Sequence, residues 1–177
     1  PLFRQPPLAI AVNVVVYVCF LLIAFAVVVD FRAYHRRREV VASDRSWVET
    51  GSMTAFFILY YAVVRARLLE VAVPAPWRTI MLGAGLVLMV AGAAFNVLGR
   101  VYLKSNWANQ IKIYEGHWLV TTGPFAIVRH PLYASLIWML VGGALVYANL
   151  AGLVLTLAVF VPMMYGRAKK EEALLTS

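Results

Sequence analysis

The polar segment at residues 100–131 ends in side chains suited to binding a charged ligand. Pro131 opens a long apolar run, and proline fits the first turn of a helix because its missing N–H would have no partner there. Arg129 and His130 are therefore expected at a helix N-terminus, where free backbone donors and the helix dipole favour a carboxylate or phosphate. Tyr133 follows one turn inside the same helix. These residues predict a binding site for an anion or a zwitterion.

The apolar run after this site is long enough for a helical hairpin. Residues 132–166 are 35 consecutive uncharged positions, whereas one membrane-spanning helix needs about 20. A turn at residues 147–149 divides the run in two, with Gly142 and Gly143 allowing close approach of the two arms. The hairpin returns Glu171 and Glu172 to the side of the membrane on which it began. Opposite charges are thus expected to meet there, an arrangement suited to a zwitterion.

The amino-acid composition is that of an integral membrane protein. Hydrophobic residues make up 63% of the chain and charged residues 14%, which excludes an ordinary soluble domain. The net charge of +8 does not predict nucleic-acid binding, because no basic stretch is interleaved with aromatic residues. The single cysteine, Cys19, excludes an intramolecular disulfide and predicts no cysteine-based metal site. We therefore predict membrane lipids as partners, no nucleic acid and no metal.

Five apolar segments predict an all-α, polytopic fold with about five membrane-spanning helices. Uncharged segments at residues 8–29, 50–64 and 79–99 precede the two arms of the hairpin. Twelve of the sixteen Lys and Arg residues then lie on one side of the membrane, which the positive-inside rule makes cytoplasmic. The N-terminus is predicted outside and the C-terminus in the cytoplasm. The chain divides into N-terminal helices (1–99) and a functional part with loop, hairpin and tail (100–177).

Several short motifs between residues 106 and 175 carry a family resemblance. They are Asn106-Trp107, Glu115-Gly116-His117-Trp118-Leu119-Val120, Gly123-Pro124-Phe125, Arg129-His130-Pro131-Leu132-Tyr133 and Glu171-Glu172 followed by Leu174-Leu175. In this order and spacing, they resemble the isoprenylcysteine carboxyl methyltransferase and phospholipid methyltransferase group of integral membrane enzymes. The first hundred residues carry no comparable motif.

The resemblance implies S-adenosylmethionine as methyl donor, S-adenosylhomocysteine as product, and a lipophilic acceptor that enters a cytoplasmic site from the bilayer. The residues that it places around the cofactor are His117, Leu119, Val120, Gly123, His130, Pro131, Tyr133, Glu171 and Glu172. Glu171 or Glu172 would hold the ammonium or sulfonium group, and Arg129 would orient the acceptor or the cofactor carboxylate. Arg129 and Glu171 are thus the candidate catalytic residues, and Asn106, Trp107 and Arg129 the candidate substrate contacts. Family members usually continue after the glutamate pair with an acidic helix, whereas this sequence ends at Ser177.

The acceptor stays open between a carboxylate and an amine. Methyl transfer from a sulfonium is an in-line displacement, so the protein must mainly align donor and acceptor and exclude water. A carboxylate acceptor needs no base, and a low-dielectric pocket favours the loss of opposite charges. An amine must first lose its proton, to a base such as Glu171, Glu172 or His117. We place the carboxylate first.

Two other functions compete with methyl transfer. Sterol reductases that use NADPH share a similar Arg-His-Pro-x-Tyr element, but Leu132 replaces their asparagine here and no cysteine follows Cys19. A non-catalytic membrane protein on the same scaffold is the other alternative. The short Gly83-Ala84-Gly85 element lies inside an apolar segment and predicts helix packing rather than a nucleotide-binding turn. The oligomeric state stays open.

Overall fold

The computed structural model describes residues 6–34, 40–44, 47–103, 111–114 and 120–176 of the chain. Its secondary-structure elements, in chain order, are α1 (Pro6–Tyr34), β1 (Val40–Asp44), α2 (Trp47–Arg65), α3 (Ala75–Leu103), β2 (Ile111–Tyr114), a 3-10 turn (Gly123–Ala126), α4 (Pro131–Val146), α5 (Leu150–Leu155), a π-helical turn (Thr156–Phe160) and α6 (Val161–Thr176). The last three elements follow one another without a break. Helices therefore occupy each of the five apolar segments named above.

Three of these helical stretches are long and apolar enough to cross a membrane, namely Pro7–Asp30, Ala75–Leu103 and Leu150–Ala173. The helices at the other two predicted crossings are shorter, with apolar stretches at Gly51–Arg65 and Pro131–Val146. At 1.5 Å per residue, the 16 residues of α4 extend about 24 Å, less than a hydrocarbon core of about 30 Å. Length and hydropathy thus support an integral membrane protein with three spanning helices, and the predicted five crossings stay a prediction.

The structure adds a small antiparallel sheet that the sequence analysis did not predict. Strand β1 pairs with β2, with Val40 opposite Tyr114 and Asp44 opposite Ile111, and the register shifts between Val40 and Ala42. Each strand has only four or five residues, and their partners are about seventy positions away in the sequence. An all-α prediction missed these strands because such short pairings depend on tertiary contacts.

Among the described parts of the chain, α3 and α4 form the most extensive helix–helix contact. Glycines at seven-residue intervals on α3, namely Gly85, Gly92 and Gly99, face α4. A Cβ atom at Gly85 would lie 2.7 Å from the carbonyl oxygen of Gly142, and one at Gly92 would lie 2.8 Å from the carbonyl oxygen of Ser135. These backbones approach so closely because no side chain stands between them.

The contacts of Gly142 and Gly143 correct one sequence-based interpretation. We expected these glycines to let the two arms of the hairpin approach each other. Instead, a Cβ atom at Gly142 would meet Gly85 and Met89 of α3, and one at Gly143 would meet the hydroxyl of Tyr60 in α2. The small residues of α4 therefore serve contacts with the earlier helices α2 and α3.

The turn between the arms of the hairpin lies at the predicted position. Ala148 adopts a left-handed conformation with φ of 47°, and the side chain of Asn149 accepts a hydrogen bond from the Gly152 N–H over 2.7 Å. The preceding α2–α3 loop docks on this turn through a bridge between Glu70 and Asn149. Arg78 donates to the Val146 carbonyl over 2.6 Å, which satisfies one of the last carbonyls of α4.

Two apolar clusters fill the interior on either side of α4. The first joins α1, α3 and α4 around Met89 and Met139, and Cys19 packs within it. The second joins α2 to α4 and the end of the hairpin around Tyr60, Leu140 and Phe160. With apolar side chains on both flanks, α4 is the central helix of the fold.

A π-helical turn interrupts the second arm of the hairpin just before α6. The N–H of Val161 bonds to the carbonyl of Thr156, five residues earlier. Pro162 has no N–H to bond to Ala158, and a π turn is one way in which a helix accommodates such a gap. The extra residue in this turn changes the helical register, and hence the direction in which α6 presents its charged side chains.

Candidate functional site

The candidate site begins at the N-terminus of α4, where His130 is the N-cap and Pro131 the first helical residue. This is the arrangement expected from the proline. The ring of Pro131 is fully buried beside Gly99 of α3, and Leu132 also contacts this glycine position. The first turn of α4 is therefore anchored on α3 on one side, while His130 and Tyr133 belong to the polar cluster described next.

The carboxylates of Glu171 and Glu172 lie on either side of the His130 imidazole. Nδ1 of His130 is 3.3 Å from Oε2 of Glu171, and Nε2 is 3.1 Å from Oε1 of Glu172. Both glutamates belong to α6, so the hairpin does bring the end of the chain back to the α4 N-terminus. This convergence was expected from the sequence.

The two carboxylates change the acidity of the histidine. The hydrogen bond with Glu171 raises the pKa of His130, a second bond with Glu172 adds to this effect, and partial burial of the ring opposes it. A carboxylate beside an imidazole favours the protonated form, because the positive ring gains both a hydrogen bond and an opposite charge. The protonated ring donates from both nitrogens, one to each glutamate.

Tyr133 and Arg167 extend the cluster toward the interior. The Tyr133 hydroxyl donates to Oε1 of Glu171 and accepts a hydrogen bond from Nε of Arg167 over 3.0 Å. The rings of Tyr133 and His130 stack with centroids 5.5 Å apart. The guanidinium of Arg167 also contacts the sulfur of Met53 in α2, at 3.0 Å from Nη1. Helices α2, α4 and α6 thus all contribute to the cluster.

Arg167 is the residue that sequence reasoning missed. The sequence analysis assigned no role to Arg167, yet its side chain is just 11% exposed and bonded to Tyr133. A signal was available, because Arg167 and Glu171 are four residues apart and such positions share one helix face. Arg129, by contrast, is 87% exposed and lies 3.8 Å from Oε1 of Glu172, at the outer rim.

The remaining predicted site residues divide into two groups. Val120 is half-buried at the start of the segment that leads to the 3-10 turn. Gly123 has φ of 61°, and a Cβ atom there would lie 2.6 Å from the ring of Tyr102, so only glycine fits this position without strain. Four predicted residues lie outside the described part of the chain, namely Asn106, Trp107, His117 and Leu119.

The cluster contains groups of both signs of charge, which suits a zwitterion. Glu171 and Glu172 are acceptors for an ammonium or sulfonium group, and Arg129 and Arg167 are donors for a carboxylate. S-adenosylmethionine carries all three of these groups. Among the described residues, no group of three His, Cys, Asp or Glu side chains has the arrangement of a metal site.

The fold and the cluster together define a helical membrane protein with a charged binding site at the ends of its central and last helices. Comparison with known families makes the class more specific. Residues 85–177, just over half of the chain, match the model of the isoprenylcysteine carboxyl methyltransferase (ICMT) family. The chain therefore belongs to this family of membrane methyltransferases. No curated protein matches the chain.

Membership in this family of methyltransferases supports an enzyme. The matched segment includes the N-terminus of α4, the hairpin and the two glutamates of α6. It also includes most of α3, whose Gly92 and Gly99 face α4. The residues that build the cluster and those that anchor it thus lie largely within the family segment.

Proposed function

We propose that this protein transfers a methyl group from S-adenosylmethionine to a lipophilic acceptor in the membrane. The observation that carries the proposal is the placement of His130 between Glu171 and Glu172, at the end of a helical hairpin. Two carboxylates that flank one imidazole are acceptors for a cation, and the family has a methyltransferase activity. The cofactor, when bound, supplies a methyl group on a positively charged sulfur.

The residues of this chain would divide the binding task by charge. Glu171 and Glu172 hold the ammonium or sulfonium group, and His130 keeps the two carboxylates apart and oriented. Tyr133 orients Glu171 through its hydroxyl, and Arg167 holds that hydroxyl in place. Val120, Gly123, His117 and Leu119 are the further predicted cofactor contacts, whereas Pro131, also predicted as one, is buried against α3 and fixes the start of α4. Aligning donor and acceptor is the main catalytic requirement of an in-line displacement.

We infer a carboxylate as the acceptor group, with an amine as the second candidate. Arg129 is exposed at the rim of the cluster and can pair with an incoming carboxylate, whose reaction with a sulfonium removes two opposite charges. Asn106 and Trp107 are the further predicted acceptor contacts. An amine acceptor would instead need a base, a role open to either glutamate, although His130 occupies both in this structure.

Cofactor binding is the first test. Isothermal titration of the purified protein in detergent with S-adenosylhomocysteine should show micromolar binding, and Glu171→Ala should weaken it at least tenfold. Glu70→Ala is the matched control, because Glu70 lies in the α2–α3 loop at the opposite end of α4. Binding of NADPH but not of S-adenosylhomocysteine would overturn the proposal in favour of a reductase, and binding of neither would favour a non-catalytic protein.

The acceptor group is tested by the chemical stability of the methylated product. With radiolabelled S-adenosylmethionine, a prenylated cysteine analogue and phosphatidylethanolamine are offered as separate acceptors in detergent. A methyl ester releases volatile methanol in base, whereas an N-methyl group does not. Base-labile label on the carboxylate acceptor is expected. Base-stable label on the amine acceptor alone would overturn the carboxylate assignment and leave the methyltransferase assignment intact.

A further inference from the structure

A continuous chain of buried polar side chains runs from α1 through α3 to the first turn of α4. Arg100 donates from Nη1 to Oδ2 of Asp30 over 3.0 Å and from Nε to Oδ1 of Asn96 over 2.9 Å. Asn96 donates from Nδ2 to the Ser135 hydroxyl over 2.7 Å, and this hydroxyl donates to the Leu132 carbonyl over 2.7 Å. This series of hydrogen-bonded side chains starts at the Asp30–Arg100 ion pair and ends on the Leu132 carbonyl.

These groups are almost completely removed from solvent. Asn96 and Ser135 are 0% exposed, and the side chains of Asp30 and Arg100 are each 10% exposed. Burying an ion pair usually contributes little net stability, because the cost of desolvation offsets the attraction. Apolar side chains would fill the same interface at lower cost, so stability alone gives no reason for this chain of polar groups.

The end point of the chain indicates a different role. Leu132 is flanked by Pro131 and Tyr133, so the Leu132 carbonyl belongs to the same turn that presents His130 and Tyr133 to the glutamates of α6. Asn96 also reaches this carbonyl directly, at 3.4 Å from Nδ2. A polar anchor on this turn limits its rotation and sliding, whereas purely apolar contacts tolerate small shifts.

We propose that Asp30, Arg100 and Asn96 are positioning residues, which hold the first turn of α4 through Ser135 and thereby set the distance between His130 and the two glutamates. The effect on cofactor binding rests on the proposed function. The effect on the geometry of His130 does not, so the two can fail separately.

The least disruptive test of these buried polar bonds is Ser135→Ala, with Tyr60→Phe as the matched control. Each variant removes one buried hydroxyl that donates to a carbonyl of α4, but Tyr60 bonds to Leu140, two turns beyond Leu132. We expect Ser135→Ala to weaken S-adenosylhomocysteine binding about fivefold, the equivalent of one neutral hydrogen bond. Tyr60→Phe should leave this affinity within twofold of the wild type, even if both variants unfold at a lower temperature.

A second measurement uses the pKa of His130 to report its distance from the two glutamates, without any cofactor. NMR titration of protein with ¹³C-labelled histidine follows the His130 imidazole, identified by its loss in His130→Gln. In Ser135→Ala and in Asn96→Leu the raised pKa of His130 should fall toward its ordinary value, and in Tyr60→Phe it should not. If the wild type fails to bind S-adenosylhomocysteine, the proposed function fails, while this titration still decides the positioning role.

The charge pair is tested by comparing Asp30→Asn with Asp30→Leu. The asparagine keeps an acceptor oxygen for Arg100, so it should retain most of the wild-type His130 pKa and ligand affinity. In Asp30→Leu the buried guanidinium of Arg100 lacks this acceptor, so both the raised pKa of His130 and the ligand affinity should fall. The proposal is overturned if Ser135→Ala and Tyr60→Phe behave alike, or if Asn96→Leu leaves the titration of His130 and the affinity unchanged.

Discussion

Arg167 donates from Nε to the hydroxyl oxygen of Tyr133 over 3.0 Å, and this bond connects α6 to the first turn of α4. The same hydroxyl donates to Glu171, so one phenol group joins a cation to an anion. A partly buried bond of this kind is sensitive to the length of the hairpin and to the π turn that precedes α6. Together with the contacts of His130 to Glu171 and Glu172, it joins the two arms of the hairpin at one site.

Replacement of Arg167 should therefore impair the cluster. Arg167→Met removes the charge-assisted bond to Tyr133, a loss of about 1.5–3 kcal/mol, and we expect S-adenosylhomocysteine binding to weaken at least tenfold. Lys169→Met is the control, because the Lys169 ammonium lies over the Tyr165 ring, 4.8 Å from its centroid, and Tyr165 is exposed. Isothermal titration checks both variants, and equal affinities would contradict a role for Arg167 in the site.

The stability of the protein should depend on pH through His130. Because the folded-state pKa of His130 is raised, its stabilisation is fully present below the unfolded value of about 6.5. It is lost as pH rises through the folded value. Glu171 and Glu172 face the ring, and Tyr133, Arg167 and Arg129 are the other titratable or charged groups of the cluster.

The measurement is the difference in unfolding temperature between the wild type and His130→Gln in detergent, followed from below pH 6 upward. This difference should be largest at the acidic end and should shrink as pH rises. The histidines at positions 35 and 117 are present in both proteins, so their titration cancels from the difference. A constant difference across the whole range would show that the glutamates do not stabilise the protonated ring of His130.

Gly123 should tolerate no side chain. An alanine there must adopt φ near 61° and meet the ring of Tyr102, so Gly123→Ala should lower the free energy of unfolding by about 1–3 kcal/mol. Gly51→Ala, at an open position in helix α2, should be neutral or stabilising. Adding Tyr102→Ala to Gly123→Ala should recover part of the loss. Thermal unfolding in detergent measures all three, and a fully stable Gly123→Ala would contradict the predicted strain.

The Gly83-Ala84-Gly85 element provides a matched pair of glycines on α3. A Cβ atom at Gly85 would overlap the carbonyl oxygen of Gly142, whereas nothing lies within 4 Å of one at Gly83. Gly85→Ala should therefore destabilise the protein by about 1–3 kcal/mol, and Gly83→Ala should be neutral or slightly stabilising. Thermal unfolding again measures the difference, and similar values for the two variants would exclude close α3–α4 approach in the membrane.

The topology can be tested with single cysteines, because Cys19 is buried and should not react. We predict the α2–α3 loop outside and α6 in the cytoplasm. A membrane-impermeant maleimide should label Leu68→Cys in intact cells, and Lys169→Cys only after permeabilisation. Both positions are exposed. Labelling of both from the same side would contradict the predicted three crossings between the α2–α3 loop and the end of α6.

The sequence alone determined the helices, the turn and the outline of the site. Long uncharged runs, one proline and a short polar turn are local signals, and they correctly located α4 and the turn at residues 147–149. The meeting of His130 with Glu171 and Glu172 followed from the hairpin, because two antiparallel arms of similar length return to the same level. An asparagine inside an apolar segment also needs a polar partner, and Asn96 bonds to Ser135 of α4.

Only the tertiary structure decided which faces of these helices meet. The burial of Arg167 against Tyr133, the close approach of Gly85 to Gly142 and the pairing of β1 with β2 each join segments that are far apart in the sequence. Hydrophobic periodicity carries little directional information when a membrane helix is apolar on every side. Helix rotation and register are then set by small residues, by the π turn and by buried polar bonds, and these act only once the helices are in contact.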